Sequence, residues 1–120
     1  MDKRIYNYKE VYDSAVRTGM NDSPSFARFG DLFTEKSKFT LRSVPLAVLH
    51  YHTAWNPSMV MNYHEDETGA QDYAKKYSSS EGAEPIICTS KFDIGDGLHR
   101  SRAAFIRGET HIMAYVEVEE

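Results

Sequence analysis

The sequence predicts a small α/β (α+β) fold: a mixed sheet with packed helices and an added helical N-terminal segment. Three observations carry this reading. Residues 111–118 alternate, with Ile112, Ala114, Val116 and Val118 facing one way and His111, Met113, Tyr115 and Glu117 the other, the period of a half-buried strand. A run of helix formers from Leu98 to Arg107 precedes that strand and stops at Gly108, a suitable C-terminal cap, with the Arg107 charge favouring that end. Upstream, apolar stretches and turn residues complete the order strand, helix, strand, strand, glycine turn, helix, strand.

The elements follow in chain order. Ile5, Tyr8, Val11, Tyr12 and Ala15 recur at helical spacing, with Gly19 as the stop. Asn21 to Pro24 makes a turn into a second short helix, capped by Ser23 with Pro24 at its first position and striped by Phe26, Phe29, Leu32 and Phe33. Leu41 to Tyr51 reads as a strand, an edge one near Pro45, and Trp55-Asn56-Pro57 opens a loop. Thr68 to Tyr77 is a helix with Ala70, Tyr73, Ala74 and Tyr77 on one side, and Ser78 to Glu84 is a loop. Pro85 leads the strand Ile86-Ile87-Cys88, and Thr89-Ser90-Lys91 turns it back into Phe92-Asp93-Ile94. Residues 1–40 are thus expected as a helical extension packed on a domain of residues 41–120.

Composition bounds the function. The 120 residues fit one domain, and 41% hydrophobic content argues against disorder throughout. With 14 basic and 18 acidic residues the net charge is -4, so grip on nucleic acid requires a local basic patch. One cysteine, Cys88, forms no internal disulfide and sits in an apolar strand as a small hydrophobe. The N-terminus lacks a signal-peptide pattern and no apolar run approaches a bilayer span, so a soluble cytoplasmic protein without membrane contact is the expectation.

Chemistry concentrates at Gly95-Asp96-Gly97-Leu98-His99-Arg100-Ser101-Arg102. A helix N-terminus leaves backbone N–H groups without partners and carries partial positive charge, so it attracts phosphate, and glycines let a ligand approach the backbone. Arg100 and Arg102 offer forked donors, and the His99 imidazole can donate, accept or shuttle a proton. Asp96 beside a phosphate would be repelled unless it holds a divalent cation such as Mg²⁺ or orients a neighbour. The alternative on spacing alone is a tight turn followed by solvated arginines.

The stretch Phe92 to Ala104, with Gly108 and Ile112 to Val116, resembles the ParB/sulfiredoxin superfamily, and Val44 to Leu49, Asp66 to Tyr77 and Pro85-Ile86-Ile87 extend the likeness over about residues 41–118. In that superfamily ParB proteins bind and hydrolyse CTP, sulfiredoxins use ATP, and other relatives are small-molecule kinases or are described as nucleases. The resemblance implies a nucleotide or phosphorylated ligand held by Gly95, Gly97, His99, Arg100, Ser101 and Arg102, with a nucleoside triphosphate and Mg²⁺ as cofactors. The chain departs from the pattern at Leu98, where sulfiredoxins carry the catalytic cysteine and ParB proteins a glutamate, and at Ser58 after Pro57, where ParB proteins carry an arginine. A sulfinic-acid reductase is not expected, the case for CTP is weakened, and no helix-turn-helix domain is expected after Glu120.

The leading expectation is a ParB-like nucleotide- or phosphate-binding protein, a small phosphotransferase or NTPase, with Asp96, His99 and Glu65 as candidate catalytic groups and Asp96 as the candidate metal ligand. The acidic run Glu65-Asp66-Glu67 supplies the carboxylate for that role or else a solvated helix start. His50, His52 and His64 with Glu65 and Asp66 form a second metal candidate against ordinary polar positions, and Trp55 stacks on a base or packs on the sheet. The alternative function is a non-catalytic phage- or plasmid-type inhibitor or regulator that binds a protein partner through aromatics among Tyr8, Tyr12, Phe26 and Phe29. A third reading, a nuclease or nucleic-acid binder, requires Lys75, Lys76, Arg100, Arg102 and Arg107 on one surface.

Overall fold

The strictly alternating segment at the end of the chain forms the central strand of a five-stranded mixed sheet. The computed structural model describes residues 4–17, 30, 32–52, 57–59, 71, 72, 74, 75 and 84–119. Along them run β1 (Ile5–Asn7), α1 (Tyr8–Arg17), β2 (Lys38–Pro45), a 3-10 turn (Leu46–Val48), β3 (His50–His52), β4 (Pro57–Met59), β5 (Ile86–Cys88), β6 (Ile94–Asp96), α2 (Leu98–Ile106) and β7 (His111–Glu117). The main sheet has the order β1-β2-β7-β5-β6, and β3 pairs with β4 as a separate ribbon. All main-sheet neighbours are antiparallel except β5 and β7, where Ile86, Ile87 and Cys88 lie beside Ala114, Tyr115 and Val116 in parallel register. The fold class is the small mixed α/β one that the patterning predicts.

The sheet separates two apolar clusters. Ile112, Ala114 and Val116 of β7 join Val44, Ile86, Cys88, Ile94 and Ala104 of α2 on one face. Ile87, Phe39 and Phe33 join Val11 and Ala15 of α1 on the other, with Tyr115 packed against them. This explains why β5 is apolar at three successive positions rather than alternating: both of its faces are covered, and all three residues are fully buried. The α1-side cluster is the more aromatic. The rings of Phe33 and Phe39 meet edge to face with centroids 5.2 Å apart, and those of Tyr6 and Tyr115 at 5.0 Å.

Several element boundaries differ from the sequence reading. Ile5 belongs to a strand, not to the helical stripe, and is 52% exposed. The helix begins only at Tyr8, because Asn7 and Glu10 form a reciprocal cap: the Glu10 N–H donates to Asn7 Oδ1 (2.9 Å) and the Asn7 N–H to Glu10 Oε1 (3.3 Å). The N-terminal segment is therefore tied into the sheet by a strand, with Ile5, Tyr6 and Asn7 opposite Thr40, Phe39 and Lys38. The strand expected over 41–51 starts earlier, at Lys38, and ends at Pro45, which has no N–H with which to extend a ladder. Phe92 is excluded from the second hairpin strand by its positive φ of 65°, so β6 runs Ile94–Asp96, through Gly95. Residues 71, 72, 74 and 75 are helical, inside the expected 68–77 helix, and so are Gly30 and Leu32. Gly19, residues 21–29 and most of 53–70 lie outside the described residues, as do Trp55, His64 and Glu65.

Candidate functional site at the head of the second helix

The turn between β6 and α2 is built by a glycine that no other residue replaces without strain. Gly97 has φ +116°, and a Cβ there would lie 2.4 Å from Ile86 Cγ2 and 3.2 Å from the Arg100 guanidinium. Backbone conformation and close packing both require it. As the N-cap of α2 it supplies no side-chain hydrogen bond, and the first turn holds no acidic residue. The helix propagates from its carbonyl, which accepts from the Ser101 N–H (2.9 Å) and from Ser101 Oγ (2.8 Å).

Asp96 and Arg100 are consumed within the fold. Arg100 Nη2 donates to Asp96 Oδ2 at 2.9 Å, and the two side chains are only 4% and 11% exposed. Arg100 Nη1 donates to the carbonyls of Glu84 (2.7 Å) and Pro85 (3.0 Å), pinning the chain that leads into β5. The expectation that Arg100 offers an outward fork to a phosphate is therefore corrected: the fork grips a carboxylate and two carbonyls inside the protein. Asp96, expected as a Mg²⁺ ligand, instead gives its Oδ2 to the Arg100 guanidinium in a largely buried ion pair. Among the described residues no group of three His, Cys, Asp or Glu side chains is arranged to hold a metal.

The remaining predicted site residues divide sharply. Gly95 lies in β6, where a Cβ would come 2.5 Å from the Phe33 ring, so it makes room for the α1-side core rather than for a ligand. Ser101 is fully buried. Arg102 is 3% exposed, with its guanidinium over the Phe105 ring at 5.1 Å, so it is not a surface phosphate grip. His99 alone of the set has an exposed side chain. Among the described residues of the basic set, Arg100 and Arg102 face inward, Arg107 pairs with Glu109 at 2.7 Å and Lys75 is exposed. Glu65, Lys76, Phe26 and Phe29 lie outside the described residues, whereas Tyr8 and Tyr12 pack on the α1-side core. His50 and His52 are described in β3, while His64, Glu65 and Asp66, their expected companions, are outside the described residues. Cys88 is fully buried, and burial pushes its thiol up to about 12, which removes it as a nucleophile at neutral pH.

One residue of the site was not legible beforehand. Glu84, read as the end of a loop, accepts hydrogen bonds from Ser14 Oγ (2.8 Å) and Arg17 Nε (2.9 Å) while its own carbonyl holds Arg100. The Arg17 hydrogen bond, with those of Ser14 and the nearby Arg100 charge, keeps its carboxyl below the ordinary glutamate value despite partial burial. Ser14 and Glu84 are 70 positions apart, so no local spacing announces the pair.

No family model, no curated protein and no solved structure matches the chain. Among the described residues no helix is long and apolar enough to cross a membrane.

Proposed function

We propose that the chain binds a phosphate-bearing small molecule, a nucleoside triphosphate first among them, at the head of α2. The supporting observation is Gly97: a left-handed N-cap that brings no side chain of its own to the first turn, followed by the exposed His99. Backbone N–H groups of a helix start attract phosphate, and a histidine beside them adds a donor. The Asp96–Arg100 pair serves in this reading as the scaffold that holds the turn, not as the grip. The likeness of Asp96 to Arg100 to the ParB/sulfiredoxin turn points to the same ligand class. Calorimetric titration with ATP, CTP and GTP, with and without Mg²⁺, tests it. Binding that weakens about tenfold in His99→Ala, the loss of one hydrogen bond to a charged group, supports the reading. No heat from the folded wild type at millimolar nucleotide overturns it.

The internal use of Asp96 and Arg100 favours a second reading, a non-catalytic protein that binds a partner. Leu41 and Met113, 38% and 37% exposed and neighbours on the α1-side sheet face, are among the exposed apolar groups that such a contact would use. In this case His99→Ala leaves biological activity intact, while Leu41→Ser with Met113→Ser abolishes it.

A further inference from the structure

Helices α1 and α2 lie on opposite faces of the sheet, yet one polar chain joins them. It starts in α1 at Ser14 and Arg17, which hold the two carboxylate oxygens of Glu84 at 2.8 and 2.9 Å. It passes along the Glu84 backbone to the carbonyl held by Arg100 at 2.7 Å, and ends at Asp96, beside the Gly97 turn. Ser14 is fully buried and Arg100 is 4% exposed, so these two members are fixed by packing, while Arg17 (57% exposed) meets the Glu84 carboxylate at the surface. The crossing occurs just before β5, whose Ile86 packs on the α2 side and Ile87 on the α1 side.

We propose that Glu84 is a positioning residue that couples α1 to the head of α2, so that displacing α1 loosens the Asp96–Arg100 turn. Residues of one hydrogen-bond network are energetically coupled where distant ones are not, and the buried Ser14 and Arg100 anchor this one on its two sides. The α2 side of the link is made by a main-chain carbonyl, which substitution cannot delete, and the α1 side by two side chains, which can be removed singly. The link concerns the turn itself and stands whether or not a phosphate binds there.

Amide hydrogen exchange on the full chain tests the coupling without any ligand. In the double variant Ser14→Ala, Arg17→Ala the Ser101 amide, which reports the first turn of α2, is expected to exchange about tenfold faster, a mid-range coupling within one network. The Arg107 amide at the other end of α2 and the β2–β7 ladder serve as references and change less. Acceleration confined to α1 and Glu84, with Ser101 unchanged, overturns the proposal. Should the double variant lose its fold, Arg17→Ala alone decides: backbone amide shifts at His99 to Ser101 are expected, and shifts limited to α1 and Glu84 overturn the coupling. Nucleotide titration plays no part in either arm, so failure here and failure of the phosphate reading are separate results.

Discussion

Helices α1 and α2 begin in opposite ways. At α1 the cap is local: Asn7 and Glu10, three residues apart, satisfy each other's backbone N–H groups. At α2 the N-cap is Gly97, which has no side chain to cap with, and the turn is held from outside by Arg100 bridging Asp96 to the approach to β5. The first helix start is stabilised by its own sequence. The second depends on tertiary contacts, and there the exposed His99 follows the glycine turn.

Substitutions that attack one start and spare the other sharpen this contrast. Arg100→Ala is expected to have the largest effect, about 3–5 kcal/mol, because it leaves the Asp96 carboxylate buried without its guanidinium and frees two carbonyls. Chemical denaturation measures it, and a loss under 1 kcal/mol would mean that the pair does not hold the turn. Gly97→Ala follows at about 3 kcal/mol, the sum of a left-handed backbone penalty and overpacking against Ile86. Asn7→Ala costs about 1 kcal/mol, a typical cap, with helical circular dichroism lost from α1 and α2 unaffected. His99→Ala stays within about 0.5 kcal/mol, since its side chain is exposed.

Glu84 supplies a pH-dependent test, with an effect given in direction only. Its folded carboxyl is held below the ordinary value, so its contribution is complete above the unfolded glutamate range and is lost as pH falls through the lowered folded value. Melting temperature measured on acidification should therefore fall less steeply in Glu84→Gln than in wild type. Identical slopes would mean that Arg17 and Ser14 do not bind this carboxylate in solution.

Much of the architecture was legible from residue periodicity. The alternation of 111–118 located β7 and its buried face, and Gly108 marked the end of α2, because both signals depend on neighbours within a few positions. The cap at Asn7 and Glu10 was equally local, yet the aromatic periodicity extended the first helix over Ile5, which pairs instead with Thr40. The candidate site was legible as a place but not as a set of roles. The Gly97 turn was visible, whereas the inward course of Arg100, Ser101 and Arg102 was not, since a charged residue at a helix start reads as solvated until a buried acid or carbonyl faces it.

What the amino-acid order determined by itself is the mixed α/β class and the succession of strand, glycine turn at 95–97, helix and closing strand, all set by short-range sterics and periodicity. The tertiary structure decided how the polar groups are used. Asp96, Arg100, Glu84 and Ser14 come together only when the segments before β5 and after β6 meet α1. Their partnership depends on distances between chain segments up to 70 residues apart, a quantity that no local pattern encodes.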